Sequence, residues 1–180
     1  MFNCAMHVKN TLTEYGLISK LLHWLSALLL LVQIPLGFYL VDLDFGPERL
    51  DIEDTHVIIG LSIFYLVILR LLNNFFNPTP KIDPSKFLGQ KLLAKINHLL
   101  LYITILLITV SGILKKLFNG ESLKFFFKEI NIKENFELAD QFYDIHVFSN
   151  YLIISLIAIH ILAVIFHKIF FKENLIKKIL

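Results

Sequence analysis

Histidines inside long apolar runs are the side chains whose type and spacing point most directly to chemistry. The last apolar run contains His146, His160 and, seven positions further on, His167. On an α-helix, the 14 positions from His146 to His160 give a rise of ~21 Å and a rotation within ~40° of four full turns. Both imidazoles therefore leave the same helix face at two different depths. Because ionisable side chains inside a membrane are rare and functional, this spacing predicts two stacked binding sites.

The same spacing of 14 positions recurs in the other apolar runs. It separates His23 from Gly37, His56 from Arg70, and His98 from Gly112. Glycine on the histidine face leaves room for a flat group at the second depth, and Gly60, one turn after His56, has the same effect. The glycines alone are weak evidence, because membrane helices also use small residues to pack closely.

Four apolar runs must position these histidines, at approximately 17–40, 56–76, 96–118 and 145–171. Each has about the 20 residues that a helix needs to cross a ~30 Å hydrocarbon core, and 56% of the chain is hydrophobic. The predicted fold class is an all-α membrane protein, a four-transmembrane-helix bundle forming one domain over residues 1–180. We interpret residues 42–54 as an acidic loop and residues 119–144 as an amphipathic segment that lies on the membrane surface.

The distribution of basic residues predicts the orientation of the bundle. Lysines are concentrated in the connection over residues 77–95 and in the tail after His167. The loop over residues 42–54 instead carries six acidic residues and Arg49 as its only basic one. Because basic connections stay on the cytoplasmic side, both termini are expected to be cytoplasmic.

Composition excludes several other classes of protein. The net charge is +2, and no basic stripe with interleaved aromatic residues is present, so no nucleic-acid partner is expected. Cys4 is the only cysteine. A single cysteine excludes an internal disulfide, a C-x-x-C-H site for covalent haem attachment, and a four-helix enzyme that forms disulfides with quinone.

The predicted orientation assigns a depth to four of the histidines. The helix that carries His23 enters the membrane from the inside, so His23 lies ~9 Å below the inner surface. His160 lies ~8 Å from that same surface, because its helix enters from the outside. His56 and His146 each begin a span from the outside and share the outer depth. The four histidines therefore form two pairs at two heights.

Paired imidazoles in the core of a bundle suit haem iron, because imidazole fills both axial positions and apolar side chains pack on the porphyrin. We therefore predict two haem groups, with His23 and His160 as iron ligands of the inner one and His56 and His146 of the outer one. A lone membrane histidine is more often a hydrogen-bonding packing residue, but two pairs that match in depth favour ligation. The expected reaction is one-electron transfer between an outer donor and an inner acceptor, or the reverse.

Five further residues are candidates for roles at these sites. Arg70 lies at or just below the inner level, where it can bind haem propionates or anchor the helix end at the headgroups. His98 and His167 lie near the inner boundary, where interfacial anchoring and a site role both remain open. Lys115 and Lys116 are ordinary interface lysines or attract an anion to the outer face.

Four blocks in this order carry a family resemblance over nearly the whole chain, from about Gly16 to the C-terminus. They are Ser19-Lys-Leu-Leu-His23-Trp24-Leu; His56-Val-Ile-Ile-Gly60 with Arg70-Leu-Leu and Pro78-Thr-Pro80; Ile96-Asn-His98-Leu-Leu-Leu-Tyr102; and His160-Ile-Leu-Ala-Val-Ile-Phe-His167 with Lys172-Glu-Asn174. On these blocks the chain resembles the bacterial cytochrome b561 family, the small four-helix di-haem cytochromes of the inner (cytoplasmic) membrane.

The resemblance implies two haem b groups with bis-histidine ligation, on the same pairs that the depths predict. It also implies electron exchange with ubiquinone in the membrane, and for some members oxidation of superoxide at the outer face. His167 matches a position near the quinone end. The chain departs from the family at Lys168, where many relatives have a second histidine, and over Leu175–Leu180, where a basic, proline-containing end is usual. Both departures concern the quinone end.

Two alternatives remain open at this point. The first is a non-catalytic anchor subunit, like the cytochrome b partners of hydrogenases and formate dehydrogenases, which carries electrons only from a docked enzyme. A carrier of metal ions along transmembrane histidines is a different class. Such a carrier is expected to have a carboxylate within a span, and the interiors of the four apolar runs contain no Asp or Glu. The oligomeric state is not predicted.

Overall fold

The computed structural model describes residues 7–80, 89–125, 128–172 and 174–180. The elements in chain order are α1 (Leu17–Asp42), α2 (Pro47–Phe76), α3 (Gln90–Phe118), β1 (Leu123–Phe125), β2 (Lys128–Ile130), α4 (Phe136–Phe170) and α5 (Ile176–Ile179). Within these residues, α1 to α4 are long and apolar enough to cross a membrane. The predicted four-helix membrane fold is therefore confirmed. Residues 81–88 of the lysine-rich connection lie outside the described residues.

Three of the four helices begin earlier than the apolar runs predicted. Helix α2 begins at Pro47 instead of residue 56, α3 at Gln90 instead of 96, and α4 at Phe136 instead of 145. An apolar run marks where a helix meets lipid, whereas backbone hydrogen bonding continues into polar sequence. Pro47 suits the first helical position. The Asn135 side chain accepts a hydrogen bond from the Leu138 amide at 3.1 Å and caps α4.

The connection between α3 and α4 differs from the surface-lying segment predicted over residues 119–144. Strands β1 and β2 form an antiparallel hairpin in which Leu123 is opposite Ile130. The last nine residues of that segment belong to the first turns of α4. Likewise, most of the predicted acidic loop over residues 42–54 is the polar start of α2. Four of the six acidic residues predicted in that loop therefore lie on the first turns of α2: Glu48, Asp51, Glu53 and Asp54.

The bundle is built from two helical hairpins. Helix α1 packs mainly on α2 and α3 packs mainly on α4, while α2 and α3 join the hairpins. The fully buried centre contains Ile63 and Val67 from α2, Ile105 from α3 and Ile153 from α4. Large apolar side chains point outward, and Leu31 is 71% exposed. Such an apolar exterior is the surface that a lipid bilayer requires.

Polar contacts fix the α1–α2 hairpin at the end where the N-terminus lies. The Asn10 side chain accepts hydrogen bonds from the Gly16 amide at 2.9 Å and from the Ser19 hydroxyl at 2.6 Å. Asn10 also donates to the Pro78 carbonyl at 3.2 Å, and Asn73 donates to Ser19 at 2.7 Å. This network holds the start of α1 against the last turn of α2, one turn beyond Arg70.

Candidate functional site

Two cavities lie one above the other between the helices. The first has a volume of about 260 Å³ and is lined by His56 and His146. The second has a volume of about 720 Å³ and is lined by His23 and His160. We call them the His56–His146 cavity and the His23–His160 cavity. Both are lined by the same three apolar side chains, from Leu30, Ile34 and Ile105. The two cavities are therefore separated by a single layer of side chains.

The first predicted histidine pair comes together in the His56–His146 cavity. The ring centres of His56 and His146 are 6.1 Å apart, and their planes are inclined by 68°. Nδ1 of His146 lies 2.8 Å from the Ile108 carbonyl oxygen. Because a carbonyl only accepts, Nδ1 carries the proton and Nε2 keeps its lone pair. This hydrogen bond orients the imidazole in the way that second-shell partners orient histidine ligands of metals.

His56 has a ring nitrogen without a hydrogen-bond partner. Its Nδ1 is buried and makes no hydrogen bond within the described residues. The backbone carbonyl of His56 instead accepts a hydrogen bond from Gln33 Nε2 at 2.9 Å, which fixes this turn of α2 against α1. Gln33, a polar residue in the middle of the first apolar run, was not among the predicted site residues. Its position in mid-span was the signal that it serves a site.

Two of the predicted glycines make room for these imidazoles. A Cβ on Gly112 would lie 3.0 Å from Cε1 and Nδ1 of His146. A Cβ on Gly37 would lie 3.2 Å from Cε1 of His56. Gly60 has a different neighbour, because a Cβ there would meet only Gln33 Nε2, at 3.3 Å. Gly37 and Gly112 thus form the close walls of the histidine pair.

Lys115 and Lys116 lie at the rim of the His56–His146 cavity, and both are paired with carboxylates. Lys115 Nζ is 3.2 Å from Glu53 Oε1. Lys116 Nζ is 4.0 Å from Asp54 Oδ1 and also contacts Glu121 Oε2. Partial burial by itself would raise the pKa of Glu121, but hydrogen bonds from Lys116 and Asn119 lower it below the usual value. The two lysines predicted to attract an anion are therefore largely compensated at short range.

The second predicted pair, His23 and His160, lines the larger cavity together with His98. The ring centres of His98 and His160 are 5.1 Å apart. Nδ1 of His98 lies 2.8 Å from the Ala94 carbonyl oxygen, so Nδ1 donates and Nε2 is an acceptor. Asn97 Nδ2 lies 3.4 Å from Nδ1 of His160. Neither the His98–His160 contact nor the Asn97 contact was predicted from the sequence.

Arg70 lies in the His23–His160 cavity, as its predicted depth requires. Its Nη2 is 3.2 Å from Nδ1 of His23, and its guanidinium stacks over the Tyr102 ring at 5.3 Å from the ring centre. A guanidinium only donates, so Nδ1 of His23 accepts in this contact. A neutral His23 then carries its proton on Nε2. His23 and His146 are thus held with opposite ring nitrogens protonated.

The C-terminal residues complete the wall of the His23–His160 cavity. Leu175, Ile176 and Ile179 line it beside residues of α1 and α4. The Trp24 indole N–H donates to the Ile179 carbonyl oxygen at 2.9 Å, a contact between residues 155 positions apart. The sequence did not predict this contact.

His167, the last of the candidate residues, is placed apart from the cavity wall. It contacts Gln90 at the start of α3, whose Nε2 lies 3.1 Å from each of its ring nitrogens. Its ring also packs against Phe166 and Phe171. The carbonyl oxygen of the Gln90 side chain is buried and has no hydrogen-bond partner within the described residues. His167 and Gln90 therefore form a polar contact near one end of the bundle.

Comparison with known proteins identifies the family to which this site belongs. The family model for prokaryotic cytochrome b561 matches residues 14–180. The chain belongs to the prokaryotic cytochrome b561 family. The resemblance seen in the sequence is thereby confirmed, and membership of this family implies binding of haem b.

Two curated relatives in the cytochrome b561 family show how far the similarity extends. Cytochrome b561 homolog 2 from Escherichia coli (strain K12) is 30% identical over 128 residues, which are 67% of this chain and 65% of that protein. The match thus spans just under two thirds of that relative. The probable superoxide oxidase CybB from Yersinia pestis is 26% identical over 174 residues, which are 94% of each chain.

The residues of the His56–His146 cavity fit a haem b. The His56–His146 cavity offers an imidazole oriented by Ile108 and a second one with an unpartnered buried nitrogen, within walls that a Cβ at Gly37 or Gly112 would fill. The donors occur as pairs, and no cluster of three or more His, Cys, Asp or Glu suited to a bare metal ion occurs in the described residues. Paired imidazoles match haem iron, which takes two axial ligands from the protein.

Proposed function

We propose that this chain is a di-haem b-type cytochrome that transfers single electrons across the bacterial inner membrane to the ubiquinone pool. It acts as a single domain over residues 1–180. The observation that carries the proposal is the pair of adjacent cavities, each lined by histidines from both helical hairpins and separated by one layer of side chains. Haem bound in each cavity supplies a one-electron carrier on either side of that layer.

The proposed iron ligands are His56 and His146 in one cavity and His23 and His160 in the other. Ile108 keeps the lone pair of His146 Nε2 available, and Gln33 fixes the turn that carries His56. Arg70 is the cation in the second cavity that can bind the carboxylates of a haem. The contact between Arg70 and Nδ1 of His23 must then break. It leaves the proton on Nε2, the ring nitrogen that should bind iron.

The positive-inside rule supports an orientation with both termini in the cytoplasm. The His23–His160 cavity then faces the cytoplasm, and the His56–His146 cavity faces the outside. His98 presents an acceptor nitrogen in the inner cavity, suited to a quinol hydroxyl. We assign His98 and His167 to the quinone or propionate end. Reduction of one ubiquinone takes two electrons and two protons, and both protons are taken from the cytoplasmic side in this orientation.

Superoxide is the first candidate for the outer donor, because the Yersinia pestis relative is named a probable superoxide oxidase. Two superoxide anions give two electrons and leave as two molecules of O₂, which balances the reduction of one ubiquinone to ubiquinol. Lys115 and Lys116 at the rim are the residues that would attract the anion. Their pairing with Glu53, Asp54 and Glu121 weakens that attraction.

A docked protein donor is the second candidate, and the charge of the outer end favours it. Segments 42–54 and 115–144 together carry 12 acidic and 6 basic residues. Such an excess of negative charge repels a small anion and attracts a basic protein surface. The chain would then act as the membrane partner of a soluble enzyme, with the same route to ubiquinone.

The proposal is tested first by a reduced-minus-oxidised visible spectrum of the purified protein, with haem counted per chain. We expect a b-type spectrum and two haems per chain. A haem-replete preparation without a haem spectrum would refute both donor hypotheses together. One haem per chain would refute the electron path across the bundle.

The two donors are then distinguished by their dependence on ionic strength. The rate of haem reduction by superoxide is expected to rise with salt if the acidic residues repel it, and to fall if the lysines attract it. Lys115→Ala tests whether the lysines attract superoxide. Lys133→Ala is the control on the same side of the bundle. Reduction by a basic protein donor is expected to slow as salt increases.

A further inference from the structure

The chain after α4 turns back against the bundle. Lys172, two residues beyond the end of α4, has a φ of 55°. This left-handed conformation costs a residue other than glycine roughly 1–2 kcal/mol. The cost implies that contacts further along the tail keep the chain in this turn. Those contacts are made by residues 174–180, which we call the C-terminal strap.

The strap covers a lateral face of the His23–His160 cavity. The residues that line this cavity come chiefly from α1 and α4, whose main packing partners are α2 and α3. Leu175, Ile176 and Ile179 lie beside them, and the α1–α5 contact brings the strap against α1. The Trp24 indole is hydrogen-bonded to the strap at the Ile179 carbonyl oxygen, at 2.9 Å. A short amphipathic segment thus covers part of the opening between α1 and α4.

The chemistry of the strap fits a position at a membrane surface. Its apolar side chains line the cavity, whereas Lys177 and Lys178 are exposed. Lysines at the edge of an apolar segment bind anionic headgroups, so the strap is suited to lie where the hydrocarbon region meets the headgroups. A ligand that passes from the lipid into the cavity between α1 and α4 must therefore displace it.

We propose that the C-terminal strap and a membrane quinone compete for this lateral face of the His23–His160 cavity. The strap closes the cavity in the resting protein and is released from Trp24 when the quinone enters. The proposal rests on the proposed function, because it takes ubiquinone as the acceptor that reaches the haem of this cavity from the lipid. It assigns Trp24, Leu175, Ile176 and Ile179 to control of quinone entry.

The position of the strap is measured with a spin label in the haem-replete protein in lipid nanodiscs. Cys4→Ser removes the native thiol, and Lys178→Cys carries the label on the exposed side of the strap. We expect decylubiquinone to increase the mobility of this label. A label at Lys133→Cys, at the opposite end of the bundle, should not respond. An unchanged Lys178→Cys spectrum at decylubiquinone concentrations that saturate turnover would overturn the proposal.

Variants that weaken the strap test the competition directly. Trp24→Phe removes one hydrogen bond and should lower the KM for decylubiquinone about two- to tenfold, as expected for one such bond. Deletion of residues 175–180 should lower it further, and Lys133→Ala, at the opposite end of the bundle, should leave it unchanged. A KM that rises or stays the same in both Trp24→Phe and the deletion variant would refute the proposal. If the chain without residues 175–180 does not fold, the KM of Trp24→Phe and the spectrum of the spin label still test the proposal.

Failure of the strap proposal is distinguishable from failure of the proposed function. A parent protein that binds two haems and reduces decylubiquinone, with a strap that does not respond, refutes the competition alone. A parent protein without haem, or one whose reduced haem is not oxidised by decylubiquinone, refutes the function on which the competition rests.

Discussion

The His56–His146 cavity and the His23–His160 cavity surround their imidazoles in different ways. In the smaller cavity, Gly112 and Gly37 contact the rings closely, and Ile108 fixes the proton of His146 on Nδ1. In the larger cavity, Arg70 occupies Nδ1 of His23, and a third histidine, His98, lies beside His160. One site is set by backbone groups, the other by long side chains.

The difference indicates a division of labour between the two sites. Backbone carbonyls and glycines cannot rotate away, so the His56–His146 cavity is pre-organised for one occupant. Arg70, Asn97 and the C-terminal strap can all move, so the His23–His160 cavity can accept more than one arrangement. A site that must exchange a membrane-soluble partner requires such mobility, and a site that only relays electrons does not.

The largest effect is expected from removing one ligand of each pair. His146→Ala should lose the haem of the His56–His146 cavity and keep the other, and His160→Ala should do the reverse. Each variant leaves one axial position without an imidazole. Haem counted per chain should fall from about two to about one, as the proposed pairing requires. Two haems per chain in either variant would show that the pairs are assigned wrongly.

The close glycine walls of the His56–His146 cavity give the next largest effect. Gly112→Ala places a Cβ 3.0 Å from the His146 ring, which must shift. Overpacking of this kind costs ~1–3 kcal/mol, so haem affinity at this site should fall by roughly 5- to 150-fold. Gly46→Ala is the control, because a Cβ there would meet no other atom within 4 Å and Gly46 lines neither cavity. Titration of each apoprotein with haem measures the haem affinity of the two variants. Equal losses of affinity would contradict the role of Gly112.

A smaller effect, confined to the haem of the larger cavity, is expected when Arg70 is replaced. Arg70→Gln removes the cation of the larger cavity and should weaken haem binding there about tenfold, the value of a charge-assisted hydrogen bond of ~1.5 kcal/mol. The haem between His56 and His146 should be unaffected. Potentiometric titration resolves the two haems, and an equal shift of both potentials would show that Arg70 acts through the fold as a whole. Arg70→Lys, which keeps the charge, should restore part of the loss.

The smallest effect concerns stability at the rim, where Lys116 contacts Glu121. A carboxyl whose pKa is lowered on folding stabilises the protein above its unfolded pKa of ~4.3, and this contribution is lost as the pH falls through the folded pKa. Glu121→Gln should therefore lower the free energy of unfolding by less than about 1 kcal/mol at neutral pH. The difference in Tm from the parent should begin to shrink at about pH 4.3 and disappear below the folded pKa. A difference that persists in acid would assign the effect to packing.

The regular parts of the molecule could be predicted from residue positions because lipid permits few structures. Backbone groups in a membrane must be satisfied within the segment, so apolar runs become helices with a fixed rise per residue. That geometry was sufficient to place His56 with His146, and His23 at the level of His160. The helix ends were predicted less well, because Pro47 and Asn135 lie in polar sequence beyond the apolar runs.

The contacts that distinguish the two cavities could not be predicted in the same way. The hydrogen bonds of Arg70 to His23 and of Trp24 to Ile179 depend on side-chain rotamers and on a tail without periodicity. The carboxylate partners of Lys115 depend on how far α2 extends into the acidic segment. Gln33 was visible as a polar residue in mid-span, but its partner on α2 follows only from the packing of the two helices.

The division of the bundle into two hairpins has a consequence for its assembly. His23 and His56 belong to the α1–α2 hairpin, whereas His146 and His160 belong to the α3–α4 hairpin. Any group that both members of a proposed ligand pair bind therefore joins the two hairpins. Each bound group then holds the two halves together by mass action, adding stability in proportion to the logarithm of its concentration. With the proposed ligand pairs, the closing of the seam between the two halves is coupled to the supply of haem.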